Sequence, residues 1–326
     1  MVRPYRTIQD QLAILHTRKL KLTDYQANKL YLLSNNYYSI INGYSRYFWI
    51  STNKYISGTN FDDISMLYFF DRELKFIFMK ATLEAEKHLK SITAYTLSQQ
   101  IAQSPLDYLN INFYHYSQTD RRQTRDIQFL IGRFNKIINK YRRQPGSNPI
   151  KNHCINHGGV PFWVMVEYLT FGELKIIIKY LPSIQNAIAK RLYSFISTKM
   201  KITQYFTPNE LISFIENIFE IRNICAHDSR LLDYKCKNNL VYYRPLHDKY
   251  SIANNSPKSD VYNVFLSLQC FLSDTQYAIL HNTILKKVHY LDNYLARRSY
   301  PINTNKILST LGFPQNWHIE TKKIKQ

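Results

Sequence analysis

Apolar residues recur about every 3.6 positions along most of the chain, whereas the apolar and polar alternation of a half-buried strand is scarce. This periodicity predicts α-helices. Breaks in the pattern fall at turn-forming residues, such as Gly43 and the loop from Gln144 to Pro149. The predicted helices lie within residues 22–47 (short helices), 61–100, 121–143, 164–180, 208–225 and 260–297. The sequence therefore predicts an all-α fold.

The longest predicted helix, residues 61–100, is apolar on several faces. Besides one main apolar stripe along the helix, its other faces carry Phe69, Phe70, Phe76 and Leu83. A helix that is apolar all round is normally buried, so we expect it at the centre of a helical bundle. Its main stripe consists of Leu67, Asp71, Leu74, Phe78, Ala81, Ala85, Leu89 and Ile92.

Residues 121–143 form an amphipathic pattern whose polar side is strongly basic. Its apolar face contains Ile127, Leu130, Ile131, Phe134, Ile138 and Tyr141. One acid, Asp126, accompanies eight cations: Arg121, Arg122, Arg125, Arg133, Lys136, Lys140, Arg142 and Arg143. An ordinary solvated face stays open as an explanation, and so does a membrane-surface helix, although its apolar side has no Trp. With so few acids to neutralise the cations, we expect this face to bind anions.

The whole chain is basic, with 43 Lys and Arg against 23 Asp and Glu in 326 residues and a net charge of +20. Such a charge indicates a partner rich in phosphate or anionic lipid. Only 8 glycines are present, and neither a dinucleotide-binding glycine fingerprint nor a phosphate-binding lysine loop occurs. These absences lower the expectation of the common nucleotide-binding folds, and we predict no cofactor.

Cysteine usage and hydropathy bear on the compartment. The four cysteines are too few and too scattered for a disulfide framework. The N-terminal sequence MVRPYRTIQDQ has no apolar signal region, and no run of about 18 apolar residues occurs. We therefore expect a cytoplasmic protein with free thiols and no membrane association.

Candidate chemistry is concentrated in one predicted helix, which starts at Thr207-Pro208-Asn209-Glu210, a helix-capping sequence. Towards its end, Asn223, His227 and Arg230 would stack at positions i, i+4 and i+7, with Arg222 about 140° round the helix from His227. An imidazole can transfer protons and a guanidinium can bind phosphate oxygens. RNA cleavage without a metal needs these functions, because the 2′-OH is a built-in nucleophile.

Less specific explanations stay open for the same residues. Arg222 would then pair with Glu220 or Glu216, and His227 would be a structural residue near a helix end. A zinc site at His153, Cys154 and His157 lacks the fourth ligand that structural zinc normally has, so we predict no metal site. Trp163 and Phe171 could stack RNA bases, although their helical spacing indicates packing first.

Six sequence blocks occur in order along the chain. They are Asn42-Gly43-Tyr44 with Phe48; Phe61-Asp62-Asp63-Ile64 leading to residues 67–75; Glu84-Ala85-Glu86 with Leu89-Lys90-Ser91; Val160-Pro161-Phe162-Trp163 through Phe171-Gly172-Glu173-Leu174; residues 222–227 with Arg230-Leu231; and residues 311–317. With these blocks the chain resembles a known family, the Abi-D/Abi-F (Abi-2) group of abortive-infection proteins in the HEPN superfamily.

The resemblance implies an HEPN-type helical bundle, a role in phage defence and metal-independent ribonuclease activity. It implies Arg222 and His227 as the catalytic pair, Asn223 as the polar residue after the arginine, and supporting roles for Glu86 and Arg230. HEPN nucleases usually join two such motifs across a two-fold interface. No second Arg followed by His at this spacing occurs in the chain, so a homodimer is expected. Related systems also carry a structured noncoding RNA, for which the basic helix is a plausible binding site.

We therefore predict one HEPN-like all-α domain over residues 1–326, with N-terminal helices at about 1–55, a bundle core at about 60–240 and C-terminal helices at about 258–320. The predicted function is that of a cytoplasmic, homodimeric antiphage endoribonuclease toxin that binds RNA. Two alternatives stay open. One is a non-catalytic RNA-binding module whose basic surface, the eight cations of residues 121–143, holds a structured RNA, and the other is an adaptor in which the motif is purely structural.

Overall fold

The structure, a computed structural model, describes residues 5–200, 204–298 and 302–325, with the side chains of 197–200 left out. Most of these residues are helical. The α-helices are α1 (Ile8–Thr17), α2 (Tyr25–Ser34), α3 (Phe61–Gln100), α4 (Arg121–Arg143), α5 (Pro149–Asn156), α6 (Phe162–Met165), α7 (Phe171–Tyr180), α8 (Pro182–Met200), α9 (Pro208–Ala226), α10 (Arg244–His247), α11 (Val261–Ser267), α12 (Asp274–Leu295), α13 (Thr304–Thr310) and α14 (Trp317–Glu320).

Short irregular elements complete the fold. One π-helical turn spans Tyr38–Asn42. Gly43 keeps a right-handed helical conformation, at φ −71° and ψ −44°, and the chain continues into the next 3-10 turn, so the expectation that Gly43 ends a helix is wrong. Strands β1 (Trp49–Ser51) and β2 (Lys54–Tyr55) form an antiparallel hairpin in which Trp49 pairs with Tyr55. The 3-10 turns are Ser45–Phe48, Asp107–Leu109, Ile111–Phe113, Val166–Tyr168, Asp248–Tyr250 and Leu268–Cys270. The all-α prediction is confirmed.

The chain divides into two compact units. The first contains residues 1–79, 224–234 and 278–326, and the second contains residues 80–223 and 235–277. Each unit has its own apolar core; Leu15, Tyr44 and Phe78 are buried in the first, and Phe134 and Phe214 in the second. The single domain 1–326 stays a prediction, and its span includes residues 1–4, 201–203, 299–301 and 326, which lie outside the described residues.

Helix α3 has the predicted bounds, and most of its main stripe is buried. Phe70 is buried as well. Phe69, Phe76 and Leu83 are 43%, 62% and 44% exposed, so the expectation that this face is buried is wrong. These three residues are spaced seven apart and form one solvent-facing stripe, partly covered by the Arg72 guanidinium over the Phe76 ring.

The stretch from Val164 to Tyr180 is not the single helix that the periodicity predicts. Helix α6 ends after one turn, Leu169 is extended, and α7 starts afresh at Phe171. Thr170 and Glu173 form a reciprocal capping box, which supplies partners for the first N–H groups of α7. The Thr-x-x-Glu spacing is the sequence signal for this break. Pro182 then begins α8, where its missing N–H is not needed.

Candidate functional site

Helix α9 begins with the predicted cap. The Thr207 hydroxyl accepts from the Glu210 N–H, and the Glu210 carboxylate accepts from the Thr207 N–H. The helix ends at Ala226, and Asp228 takes a left-handed conformation at φ 51°. The Ser229 N–H bonds the Ile224 carbonyl at 3.1 Å, and the Asp228 N–H bonds the Cys225 carbonyl at 3.4 Å. These paired bonds are a Schellman motif, which places His227 at the C-cap.

This helix end changes one expectation from the sequence. Arg230 cannot stack on Asn223 and His227 at i+7, because the helical repeat stops at Ala226. The predicted stacking is therefore wrong for Arg230. Its guanidinium instead donates from Nη1 to the Gly43 carbonyl at 2.5 Å, within the first unit. The backbone turn at Asp228 leaves His227 exposed to solvent.

The segment after His227 is held by a buried charge cluster in the first unit, which we call the Asp71–Lys75 clamp. Asp71 is fully buried, and its carboxylate accepts from the Leu231 N–H at 3.1 Å and the Leu232 N–H at 2.8 Å. Lys75 is also buried; its Nζ lies 3.4 Å from Asp71 Oδ2 and 2.5 Å from Asp228 Oδ1. The clamp therefore fixes both ends of the turn that follows the candidate imidazole.

Burial raises the pKa of the Asp71 carboxyl, while Lys75, the Tyr44 hydroxyl and the two N–H groups act against that rise. The Tyr44 hydroxyl donates to Asp71 Oδ2 at 2.7 Å. Each carboxylate oxygen thus has donors, which is the condition for a stable buried charge. Burial raises the pKa of the nearby Cys225 thiol to about 12, so this cysteine is not a thiolate nucleophile at neutral pH.

Arg222 lies on α9 in the second unit, opposite Glu86 of α3. Arg222 Nε and Glu86 Oε2 are 3.9 Å apart, with side chains 27% and 10% exposed. Both atoms are buried and have no hydrogen-bond partner among the described residues. Lys90 Nζ lies 3.4 Å from Glu86 Oε1. The structure thus brings Glu86 to Arg222, while the supporting role of Glu86 stays a prediction.

The remaining contact of Arg222 is with its neighbour. Its Nη1 points to Asn223 Oδ1 at 3.4 Å, a long bond. The ion-pair partners expected for a purely structural Arg222 make other contacts: Glu216 pairs with Lys179 at 3.1 Å, and Glu220 accepts from the Lys237 N–H at 3.1 Å. A guanidinium that faces one distant carboxylate keeps hydrogen-bonding capacity for an anion.

Helix α4 presents the predicted basic face. Its buried residues are Ile127, Leu130, Phe134 and Ile137, so Ile137 takes the inward place expected for Ile138. Asp126 accepts from the Tyr180 hydroxyl at 3.1 Å. Phe129 is 56% exposed among the cations, an aromatic that the sequence reading did not single out. Seven of the eight cations are exposed: Arg121, Arg122, Arg125, Lys136, Lys140, Arg142 and Arg143.

Arg133, the eighth cation, is different. Its Nε lies 2.7 Å from Glu173 Oε1, and the Glu173 side chain is only 4% exposed. The buried carboxylate also caps α7, so the Arg133 charge is matched inside the second unit. This residue therefore contributes less free charge to the outer face than its neighbours do.

Two further features of the sequence have structural outcomes. The His153 and His157 rings are 5.0 Å apart, yet no group of three or more His, Cys, Asp or Glu within the described ranges has a geometry that could hold a metal ion. Phe171 is buried, in line with the packing role that its helical spacing indicates, whereas Trp163 is 53% exposed and is not accounted for by packing.

Asp71 and Lys75 are the site residues that the sequence reading missed. Both occur in a block that carries the family resemblance, and Asp71 was placed in the apolar stripe of α3. The available signal was a charged residue at an otherwise apolar helical position, which requires a buried partner. That partner lies about 160 residues later in the chain, where no local pattern points to it.

No described helix combines the length and the apolarity that a membrane crossing requires. Comparison with known proteins gives one family: the model of the Abi-like proteins matches residues 30–233. No curated protein and no solved structure matches the chain. Since the match covers more than half of the 326 residues, the chain belongs to the Abi-like protein family, which supports a role in abortive infection, a form of phage resistance.

Proposed function

We propose that this Abi-like protein is a metal-independent endoribonuclease, in which Arg222 and His227 act on the RNA backbone. The observation that supports this most is the placement of His227. It is exposed at the C-cap of α9, and the turn that follows it is fixed by the buried Asp71–Lys75 clamp. Rigid support of this kind suits a side chain that must meet a substrate in one geometry.

The chemistry follows from the substrate. His227 accepts the proton of a ribose 2′-OH, the 2′-oxygen attacks the adjacent phosphorus, and the bond from phosphorus to the 5′-oxygen breaks. The products are a 2′,3′-cyclic phosphate and a 5′-hydroxyl, whose proton comes from a protonated histidine or from solvent. Arg222 stabilises the charge that develops on the phosphorus oxygens. Asn223 and Glu86 orient Arg222, while Arg230 holds the Gly43 segment beside the turn.

We further propose that the active form is a cytoplasmic homodimer. One imidazole serves poorly as base and acid in the same turnover, whereas two motifs brought together by symmetry supply one of each. The chain has one Arg-x4-His motif, so the second must come from a second copy. We also propose that the chain is a member of the HEPN superfamily, as the resemblance implies.

RNA binding is assigned to α4. Its seven exposed cations have one acid on the same helix, and that acid is engaged by Tyr180. Phosphate binding by such a face releases counterions and gives affinity without sequence preference. The exposed Phe129 ring adds a surface on which an unpaired base can stack. This face suits either the substrate or a structured regulatory RNA.

A second candidate function is favoured by the same face. If the protein only binds RNA, Arg222 and His227 bind phosphate groups and no phosphodiester bond is cleaved. The two functions differ in what the same variants do, because loss of a catalytic group abolishes cleavage and leaves affinity nearly intact, whereas loss of a binding group lowers affinity.

The test is cleavage of single-stranded RNA by the full chain in EDTA. Arg222→Ala and His227→Ala should each reduce the rate at least about 100-fold while RNA affinity changes less than about threefold. His157→Ala is a matched control, since His157 is also an exposed C-cap residue, at the end of α5. Arg191→Ala, on α8, controls for loss of a guanidinium. Cleavage that persists in both site variants would refute the nuclease.

A further inference from the structure

Two neighbouring cavities lie in the first unit, and one of them is beside the turn that follows His227. That cavity, which we call the Ser229 cavity, has a volume of about 550 Å³ and includes Asp228, Ser229 and Arg230 in its lining. The second, which we call the Arg18 cavity, has a volume of about 670 Å³. Tyr38 and Asn42 line both, so the two cavities are adjacent. Each has the size of a site for one small ligand group.

The Ser229 cavity has the character of a base-binding site. Tyr38, which is 71% exposed, contributes most of its aromatic surface, because the other two tyrosines in the lining, Tyr44 and Tyr68, are buried. Its two acids are neutralised, because Asp228 pairs with Lys75 and Asp233 pairs with Arg46. Unpaired RNA bases are typically held by aromatic and guanidinium planes together with polar groups at their edges.

The Arg18 cavity has the character of a phosphate site. Its lining contains Arg6 and Arg18 and no carboxylate. No ion pair within 4 Å joins either arginine to an acid among residues that the structure describes. Asp10 is near Arg6, since its pKa is lowered by Thr7 and, to a lesser degree, by Arg6. Burial raises the pKa of the Tyr37 hydroxyl in the same lining, and Arg18 and Arg6 oppose that rise, which places both cations near this hydroxyl. Guanidinium groups that are not held in a close ion pair are suited to bind phosphate oxygens.

We infer that the two neighbouring cavities bind a single-stranded segment of RNA, with one base against Tyr38 in the Ser229 cavity and a backbone phosphate on Arg6 and Arg18 in the Arg18 cavity. The inference rests on the proposed function, because it places the strand beside His227. It gives the first unit an RNA-binding surface in addition to the basic face of α4, which lies in the second unit. Tyr38 then serves to position the strand.

The test uses the full chain carrying His227→Ala, so that bound RNA is not consumed, with fluorescein-labelled tetraribonucleotides of A, C or U. Fluorescence anisotropy gives the affinity over a range of salt concentrations. Tyr38→Ala should weaken binding at least about fivefold through lost stacking, and Tyr38→Phe should stay within about twofold. The double variant Arg6→Gln/Arg18→Gln should weaken binding at least about fivefold and reduce the salt dependence.

Matched controls come from the same unit. Tyr290 is 57% exposed on α12 and Arg297 is exposed beyond its end, and neither lines the cavities. Tyr290→Ala and Arg297→Gln should leave binding unchanged. Circular dichroism checks that each variant folds. As an independent readout, tetranucleotides containing 4-thiouridine should crosslink under ultraviolet light to the Tyr37–Asn42 segment of the unsubstituted cavities.

Four results would overturn the inference: affinity unaffected by Tyr38→Ala, crosslinks confined to residues 121–143, no binding of any tetranucleotide, or nucleoside monophosphates binding as tightly as the tetranucleotides, which would indicate a nucleotide site instead of a strand site. Anisotropy does not depend on cleavage. A chain that cuts RNA with intact binding in Tyr38→Ala refutes this inference alone, and one that binds here without cutting any RNA refutes the nuclease alone.

Discussion

Asp71 shows how much one side chain determines at this site. Its carboxylate has four donors, namely the Lys75 ammonium, the Tyr44 hydroxyl and the N–H groups of Leu231 and Leu232. These donors oppose the effect of burial, which raises the pKa of the carboxyl. The position of the turn after His227 therefore depends on a residue that is itself closed off from solvent.

Asp71→Asn should lower the free energy of unfolding by about 2–4 kcal/mol, because an amide presents a donor to groups that are themselves donors. Chemical denaturation with urea measures this change. Glu73→Gln is the matched control on the same helix, since Glu73 pairs with Lys287 in a half-exposed position and its loss costs at most about 1 kcal/mol. Equal losses in the two variants would contradict the clamp.

His247 supplies a test of pH dependence in the second unit. It is fully buried, burial lowers its pKa to about 4, and its Nδ1 accepts from the Tyr243 N–H at 2.8 Å. Between about pH 6.5 and pH 4 the unfolded chain takes up a proton here that the folded chain does not. The free energy of unfolding should therefore fall by about 2–3 kcal/mol as the pH falls through that range.

His247→Leu should remove this contribution to the slope of stability against pH, even if the variant is less stable at pH 7. Urea denaturation at several pH values gives the slope. His157→Leu, at an exposed histidine, should retain the slope of the unsubstituted chain. If His247→Leu keeps the full slope, the buried imidazole is not the group that titrates.

At the scale of elements, the cations of α4 have two different environments. Arg133 matches the buried Glu173 charge, whereas the other seven face solvent. Removing Arg133 would leave Glu173 without its counter-charge and would destabilise the second unit. Substitution of the outward cations would cost little stability, because surface charges contribute little to folding.

The triple variant Arg125→Gln/Lys136→Gln/Lys140→Gln should weaken binding of a 30-nucleotide stem-loop RNA at least about tenfold and make its salt dependence shallower. Filter binding at several salt concentrations measures both quantities. A control with the same loss of charge is Lys322→Gln/Lys323→Gln/Lys325→Gln in the C-terminal segment, whose lysines are exposed. If this control weakens binding equally, net charge and not α4 explains RNA affinity.

The elements also show what a sequence can and cannot predict. The bounds of α3 and α4 follow from apolar periodicity and capping residues, which are local signals. The break before α7 was missed because an apolar run through Leu169 hid the Thr170–Glu173 capping box. The Asp71–Lys75 clamp and the Arg222–Glu86 pair join residues distant in the chain, and single-sequence periodicity contains no information about such pairs.

For the whole molecule, the solitary motif predicts self-association. Light scattering should give twice the 38.9 kDa of one chain at the concentrations used for cleavage. The physical reason is that base and acid are needed in the same turnover, and one chain supplies a single motif histidine. A protein that is monomeric at every concentration and cleaves RNA at full rate would contradict the composite site.

The central claim is that a 2′-hydroxyl is the nucleophile and that Arg222 and His227 promote its attack. The most direct measurement is the chemistry of the cut ends, by mass spectrometry of products formed in EDTA. The account predicts 2′,3′-cyclic phosphate and 5′-hydroxyl ends, no cut at a position carrying a single 2′-deoxy substitution, and no such products from His227→Ala. Ends bearing a 3′-hydroxyl and a 5′-phosphate, or equal cutting at the 2′-deoxy position, would contradict it.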